Sequence, residues 1–287
     1  MPIPSPSVRT SFTPPAIDSD DRDWTTVLVG SDAAPLARYI RRRFRVTASQ
    51  PCLRVDGRPS MLERTLELAN RLTPPTRTLT VLGPEHADAR AQVAGRSHHV
   101  LQQPLARDPS FGLYVALAMI RRWAPRAVVT VLPGGHHVDP PRLFVSHLAT
   151  ARALAEGLRD RVVLLGAEAG PAGDAGAPVA APRQGGDGRL RSASGLCARV
   201  DALWALARAT VPRLVDVLEA LGHLVGTEDE ADAIDYIYRA YRPLDLVRDV
   251  IARAPERCVT LPLAGVTWTD VASPAQLAAL VPVDAEA

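Results

Sequence analysis

Apolar residues recur along this chain in two alternating spacings. Short runs rich in β-branched residues predict buried strands at 27–29, 78–82, 99–101, 127–132 and 162–166. Between them, apolar residues at helical spacing predict helices at 36–43, 60–71, 85–94, 111–123 and 141–157. Strands that alternate with helices in this way favour a mostly parallel sheet with helices on both faces. Because crossovers between parallel strands are right-handed, we predict a doubly wound, Rossmann-like α/β layer.

The pattern changes at 167–189, which is rich in Gly, Ala and Pro and predicts a mobile loop. Beyond it we predict a mostly helical C-terminal portion packed on the sheet. Its elements are a strand at 195–200, helices at 201–209, 212–221, 228–241 and 244–254, strands at 258–262 and 265–269, and a helix at 274–280. The Pro- and Ser-rich stretch 1–23 predicts a disordered tail, so we expect one domain over 24–281.

The composition of the chain restricts which classes of partner it can have and indicates its cellular compartment. The formal net charge of +2 over 287 residues argues against a nucleic-acid partner and against a membrane surface. No apolar run approaches the roughly 20 residues that a membrane span needs. The three cysteines have no C-x-x-C spacing, which favours reduced thiols and a cytoplasmic location. All 33 basic residues are arginines, which excludes a P-loop lysine and a Schiff-base lysine.

The loop after the first predicted strand is the first candidate for chemistry. Gly30 ends the strand, and Pro35 suits the first turn of the following helix. Such a strand–turn–helix presents backbone N–H groups to a phosphate, although close approach usually needs more than one glycine. The alternative is a plain strand-to-loop turn at Gly30.

Histidine pairs and an arginine cluster are further candidates. His98-His99 and His136-His137 are pairs of adjacent residues. Because adjacent side chains of a strand point to opposite faces, neither pair chelates one metal easily. The arginines 41–43 and 45 end a predicted helix. They attract either a nucleotide phosphate or an acidic partner, or they form a solvated helix end favoured by the helix dipole.

Several segments match the motif series of one enzyme family in order and spacing. TVLVGSDAAPL (26–36) resembles V-V-L-A-G-G-x-G-T-R-L-x-P-L, and ASQPCLRVDGR (48–58) resembles P-K-Q-F-x-x-L-x-D-G. MLERT (61–65) and LQQP (101–104) resemble L-L-Q-R-T and V-x-Q-P. VLPGGHHV (131–138), RDVI (248–251) and GVTWTD (265–270) resemble V-F-P-S-D-H-x-V, S-x-D-V-L and G-x-x-W-S-D. The chain thus resembles the sugar-nucleotidyltransferase family, most closely its mannose-1-phosphate guanylyltransferase branch.

The resemblance implies a Rossmann-like nucleotidyltransferase core and a reaction class. In this family a sugar-1-phosphate attacks the α-phosphate of a nucleotide, and pyrophosphate leaves. It implies nucleotide binding by Gly30, Ser31 and Gln50, and Mg²⁺ held by Asp270. Asp249 would contact the sugar. Each aspartate also has an alternative, purely structural role. Asp270 is then a loop or N-cap residue ahead of the last helix, and Asp249 is a surface carboxylate paired with Arg248 or Arg253.

Other positions depart from the family pattern. Within 31–35, Ser, Ala and Pro replace two glycines and the Thr-Arg pair, and Ser49 replaces the lysine. The N-x-G-T loop corresponds to ARDP (106–109), and Gly135 replaces the first metal-binding aspartate. Two hypotheses follow: a catalytically degenerate binding or regulatory module, which we favour, or an active Mg²⁺-dependent nucleotidyltransferase. The partner in both is a nucleotide or a sugar phosphate. If the alignment is right, Gly135 and Asp270 approach each other at the carboxyl edge of the sheet.

Overall fold

The computed structural model describes residues 23–30, 33–55, 57–86, 89–168 and 190–280. The predicted tail 1–23 and loop 167–189 lie outside these ranges, except for residue 23 and for 167 and 168, which end a strand. Ser31 also lies outside them.

The strands in the described ranges are β1 (Trp24–Leu28), β2 (Thr78–Leu82), β3 (His99–Gln102), β4 (Val128–Pro133), β5 (His136–Asp139), β6 (Val162–Glu168), β7 (Leu190–Arg199), β8 (Cys258–Pro262) and β9 (Thr267–Asp270). The α-helices there are α1 (Ala34–Phe44), α2 (Met61–Ala69), α3 (Ala89–Val93), α4 (Pro109–Trp123), α5 (Pro141–Gly157), α6 (Val200–Thr210), α7 (Pro212–Leu224), α8 (Glu230–Ala240) and α9 (Pro274–Leu280).

Seven strands form one sheet in the order β3-β2-β1-β4-β7-β6-β8. Neighbouring strands pair in parallel except β7, which runs antiparallel to both β4 and β6. The chain moves outward from β1 to β3 on one side and then returns to add β4 on the other side of β1. The predicted mostly parallel α/β sheet is therefore confirmed, and its order reverses between β1 and β4.

Helices cover both faces of this sheet, as predicted. On one face α4 lies directly on the strands, and its ten residues from Phe111 to Ile120 are all buried. Helices α6, α7 and α8 share that apolar cluster. On the other face α2, α3 and α5 contribute side chains such as Leu66 and Phe144 to a second cluster. A third, smaller cluster joins α1 to α9 through Leu36, Ile40 and Leu277.

The start of α2 is fixed by a capping box and an ion pair. The Ser60 hydroxyl accepts the N–H of Glu63 at 3.1 Å, and the Glu63 carboxylate accepts the N–H of Ser60 at 3.1 Å. Arg54 donates two hydrogen bonds to the same carboxylate, at 2.8 and 2.5 Å. The hydrogen bond from Arg54 is the largest of the interactions that lower the pKa of Glu63 to about 2.

Two elements differ in kind from the predicted ones, and β7 begins at Leu190 rather than at the predicted residue 195. The predicted helix at 244–254 is instead a π-helical turn, Leu246–Val250, followed by a 3-10 turn, Ile251–Arg253. Proline stands on either side of this segment, and the N–H of Ile251 reaches back to the carbonyl of Leu246. Strand β5 was not predicted, because it has four residues and one β-branched side chain; among the described strands it pairs with β9 alone.

None of the described helices has both the length and the apolar character that a bilayer crossing requires.

Candidate functional site

A cleft of about 790 Å³ opens at the carboxyl ends of the parallel strands. Gly30 follows β1, Pro133 ends β4 and Gly135 follows it, and all three line the cleft. The sheet order reverses between these two strands, and in open α/β sheets such a switch point is where ligands bind. The cleft is therefore the candidate ligand site.

The pairing of β5 with β9 brings His136 and Asp270 together beside the cleft. These two residues are directly opposite in the register, and both line the cleft. His136 Nε2 lies 3.3 Å from Asp270 Oδ1, and the His136 ring meets Trp268 edge-on at 4.9 Å. The hydrogen bond from His136 lowers the pKa of Asp270. The expectation that Gly135 and Asp270 approach each other at this edge is confirmed by that register.

Gly135 is packed against the side chain of Gln50. Gln50 Nε2 donates to the Gly135 carbonyl at 3.0 Å and lies 2.7 Å from the Met61 sulfur. A Cβ added at Gly135 would lie 2.7 Å from Gln50 Oε1 and 3.2 Å from a Pro51 carbon. The space that a side chain at this position would occupy is thus filled by buried Gln50. Gln50 itself lines the cleft, as a nucleotide-contacting residue would.

The glycine at the end of β1 has different surroundings. A Cβ at Gly30 would meet a Pro109 carbon at 3.9 Å, which is ordinary contact, so packing does not require glycine here. Gly30 lines the cleft across from the start of α4. Asp108 caps that helix by accepting the N–H of Ser110 at 2.8 Å. A carboxylate therefore already occupies the helix end that would otherwise favour an anion.

The charges around the cleft are mostly negative. Asp108, Asp245 and Asp270 line it, whereas Arg107 is the single arginine in the described lining. Arg107 Nη1 donates to the Tyr241 carbonyl at 2.6 Å, and its guanidinium carbon lies 5.7 Å from the Phe111 ring centre. Arg107 thus fixes the 104–108 loop against α8 and has fewer donors left for a ligand.

Asp249 is engaged by its own turn. Its carboxylate accepts two hydrogen bonds from Arg248, at 3.1 and 3.0 Å, and one from the N–H of Asp245 at 3.0 Å. These bonds, with that from Arg248 first, lower the pKa of Asp249 strongly. The ion pair matches the alternative weighed from the sequence, although Asp249 is buried rather than on the surface.

Asp245 is the cleft residue that sequence reasoning missed. Its carboxylate accepts the N–H of Arg248 at 2.8 Å and so caps the π-helical turn. The signal in the sequence was an aspartate near the start of the predicted helix 244–254, since aspartate is a typical N-cap residue.

The Mg²⁺ that the resemblance implies needs about six oxygen ligands. In the described part of the chain no three His, Cys, Asp or Glu side chains are close enough together to share a metal ion. Asp270 supplies one carboxylate, and its Oδ1 faces His136. The described residues therefore do not fit a Mg²⁺ site made by the protein alone, and no chemical step through Mg²⁺ follows from them.

No protein-family model matches the sequence, and no curated protein matches it. The structure is similar to mannose-1-phosphate geranyltransferase from Thermus thermophilus, with a TM-score of 0.72 and 23% identity, covering 88% of this chain and 76% of that one. It is also similar to mannose-6-phosphate isomerase from Helicobacter pylori (TM-score 0.59, 11% identity, 86% and 100% covered) and to the inositol-1-phosphate CTP transferase of T. maritima (0.54, 10%, 88% and 91%). At these identities the likeness concerns the fold alone, and it confirms the predicted Rossmann-like α/β core.

Proposed function

We propose that this chain uses its nucleotidyltransferase fold to bind a nucleotide or a sugar phosphate without transferring a nucleotidyl group. It would act as a binding or regulatory module related to the mannose-1-phosphate guanylyltransferases, located in the cytoplasm. The observation that carries this proposal is the pair Gly135 and Gln50. Where the resemblance expects a metal-binding aspartate, the backbone has no side chain, and Gln50 occupies the adjacent space.

The charges of the cleft support the same conclusion. Phosphoryl transfer depends on positioning and on neutralising the charge that develops on the phosphates. Removing one such stabilising group typically costs about 3 kcal/mol of transition-state stabilisation. Here the lining holds Asp108, Asp245 and Asp270, and its one described arginine donates to a backbone carbonyl. Several such losses together are hard to reconcile with turnover.

We assign the binding roles as follows. Gly30, Ser31 and Gln50 would line the nucleotide, and Asp270, oriented by His136, would accept hydrogen bonds from a ligand. Asp249 would act through its turn, since its carboxylate holds Asp245 at the cleft wall. A sugar contact through Asp249 itself would require the pair with Arg248 to open.

The alternative is an active nucleotidyltransferase. Its support is the shared position of His136 and Asp270 at the cleft edge. That alternative needs Mg²⁺ held by Asp270 together with the phosphates of the substrate, a donor set that the described residues leave incomplete.

Binding can be tested by calorimetry with GTP, GDP-mannose and mannose-1-phosphate as probes. We expect at least one probe to bind with a dissociation constant below about 1 mM. In Gly30→Leu the new side chain would enter the cleft beside Pro109, so binding should be lost. Gly157→Leu is the matched control, because a Cβ at Gly157 has nothing within 4 Å and the residue lies outside the cleft.

Two outcomes would contradict the proposal. In one, none of the probes binds at millimolar concentration to protein that melts cooperatively. In the other, Gly30→Leu and Gly157→Leu bind the probe equally well, which would move the binding site away from the cleft.

A further inference from the structure

A second, smaller pocket lies on the other side of Gln50 from the cleft. Its volume is about 180 Å³, and Gln50 lines both cavities. Its walls come from the turn before α2, from α2 itself, from β5 and from α9. Met61 and Leu277 supply apolar wall, and Arg58, Arg64 and His137 supply polar groups.

The two arginines of this pocket have no hydrogen-bond or ion-pair partner for their guanidinium groups among the described residues. The guanidinium groups of Arg58 and Arg64 make no hydrogen bond or ion pair with any described residue. Arg54 and Arg96 nearby show the contrast, since both pair with Glu63. Among the described residues, no Asp or Glu lines the pocket. The two guanidinium groups are exposed and stand at one concave surface without an ion-pair partner among the described residues, although Asp139 lies within electrostatic range of His137.

His137 adds a third polar group on the same side. It is half-buried on β5, and burial followed by the charge of Arg64 lowers its pKa. Arg64 therefore lies within electrostatic range of His137. At neutral pH the imidazole is available as a hydrogen-bond donor or acceptor beside the two guanidinium groups.

We propose that this pocket, formed by Arg58, Arg64 and His137 over the apolar wall of Met61 and Leu277, binds the phosphate of a small phosphomonoester. Guanidinium groups match the geometry of phosphate oxygens and bind them through paired hydrogen bonds. The apolar wall suits the carbon skeleton of the ligand, and the size of the pocket restricts that skeleton to a few carbons. The site is separate from the cleft, so it does not depend on the function proposed for the cleft.

A ligand in this pocket would also affect the wall of the cleft, because Gln50 belongs to both. Gln50 Nε2 donates to the carbonyl of Gly135, which lines the cleft. A phosphate that draws Gln50 toward Arg58 would weaken that bond and change the cleft edge. The pocket thus offers a way for a small phosphorylated molecule to regulate ligand binding in the cleft.

The test is titration of the whole chain with inorganic phosphate, against chloride at equal ionic strength, followed by calorimetry and by ³¹P line broadening. We expect saturable binding in the wild type. The double variant Arg58→Gln/Arg64→Gln should bind at least about tenfold more weakly, as the loss of two charge-assisted contacts implies. Its matched control is Arg41→Gln/Arg42→Gln on α1, which removes the same charge from equally exposed arginines outside the pocket and should change binding less than twofold.

Three results would overturn the proposal: no saturable phosphate binding in the wild type, equal affinity in the pocket variant, or equal loss in both double variants. Gly30→Leu separates the two sites. If it abolishes phosphate binding, the phosphate occupies the cleft and the pocket proposal fails. If it leaves phosphate binding intact while removing nucleotide binding, both sites stand. A melting curve for each variant checks that it is folded.

Discussion

The face of the sheet under α4 and the cleft at the sheet edge differ in how much space they leave for a side chain at a glycine position. A Cβ at Gly112 of α4 would lie 2.5 Å from a Val81 methyl carbon in β2, so the helix approaches the strand too closely for any side chain. In the cleft, a Cβ at Gly30 would make ordinary contact with a Pro109 carbon at 3.9 Å, and a Cβ at Gly135 would meet Gln50 Oε1 at 2.7 Å and a Pro51 carbon at 3.2 Å. Packing therefore excludes a side chain at Gly112 and allows one at Gly30, whereas a side chain at Gly135 requires its neighbours Gln50 and Pro51 to shift. The Rossmann-like fold can thus be kept while the groups that line parts of its cleft change.

The largest effect should come from filling the α4 contact. Gly112→Val places methyl groups where Val81 and Gln103 already lie, and we expect a loss of about 3 kcal/mol in the free energy of unfolding. Urea denaturation measures it. Gly30→Ala, the control from the cleft, should stay within about 0.5 kcal/mol of the wild type. Similar losses for the two variants would remove the contrast between core and cleft.

The ion pair at the start of α2 should show the next largest effect. Glu63→Gln removes the charge that Arg54 and Arg96 share, and we expect a loss of about 1 to 2 kcal/mol at pH 7. The pKa of Glu63 is lowered from 4.5 to about 2 in the folded chain. Its contribution is therefore complete above pH 4.5 and disappears as the pH falls toward 2. Urea denaturation at several pH values should show this loss in the wild type and a flatter profile in Glu63→Gln. Glu67→Gln, at an exposed position of the same helix, should keep the wild-type profile.

Introducing a carboxylate at the cleft edge should lower the free energy of unfolding by less. Gly135→Asp brings its Cβ against Gln50 Oε1 and to 3.2 Å from a Pro51 carbon. The Gln50 amide can rotate away and Pro51 needs to yield by only a few tenths of an ångström, so we expect a loss of about 1 kcal/mol in the free energy of unfolding. Combining it with Gln50→Ala should recover part of the loss, and a double-mutant cycle measures that coupling. If the losses of the two single variants simply add in the double variant, the contact between Gln50 and Gly135 is not the cause of the lost stability.

The smallest effect should come from Asp270. Its side chain is 41% exposed, so Asp270→Asn should cost less than about 1 kcal/mol despite the contact with His136. Because the pKa of Asp270 is lowered in the folded chain, its contribution is present above its ordinary pKa and fades as the pH falls below it. Asp139→Asn, at the far end of the same strand pair, is the control. A larger loss for Asp270→Asn than for Gly112→Val would reverse the ranking of core and cleft.

Much of the fold was predictable because its elements carry strong local signals. Helix α5 and strands β2 and β8 have the predicted bounds, since each combines a clear apolar period with proline or turn residues at its ends. The direction of β7 was not predictable. The spacing of apolar residues along a strand is the same whether its neighbours run parallel or antiparallel. Only the register of β7 with β4 and β6 reveals the antiparallel pairing.

The cleft was partly predictable. The motif series placed Gly30, Gln50, Gly135 and Asp270 in one region, and all four line the cleft. The pairing of His136 with Asp270 could not be read from the sequence, because β5 is too short to give a period and β9 lies far away along the chain. The packing of Gln50 against Gly135 is likewise a tertiary contact between distant residues.

The most direct test of the central claim is pyrophosphate release from GTP and mannose-1-phosphate in the presence of Mg²⁺. The claim is that the cleft binds its ligand without transfer, so we expect the wild type to release no more pyrophosphate than a sample without protein. Release by the wild type that disappears in Asp270→Ala, with ligand binding retained, would contradict the claim and establish an active nucleotidyltransferase.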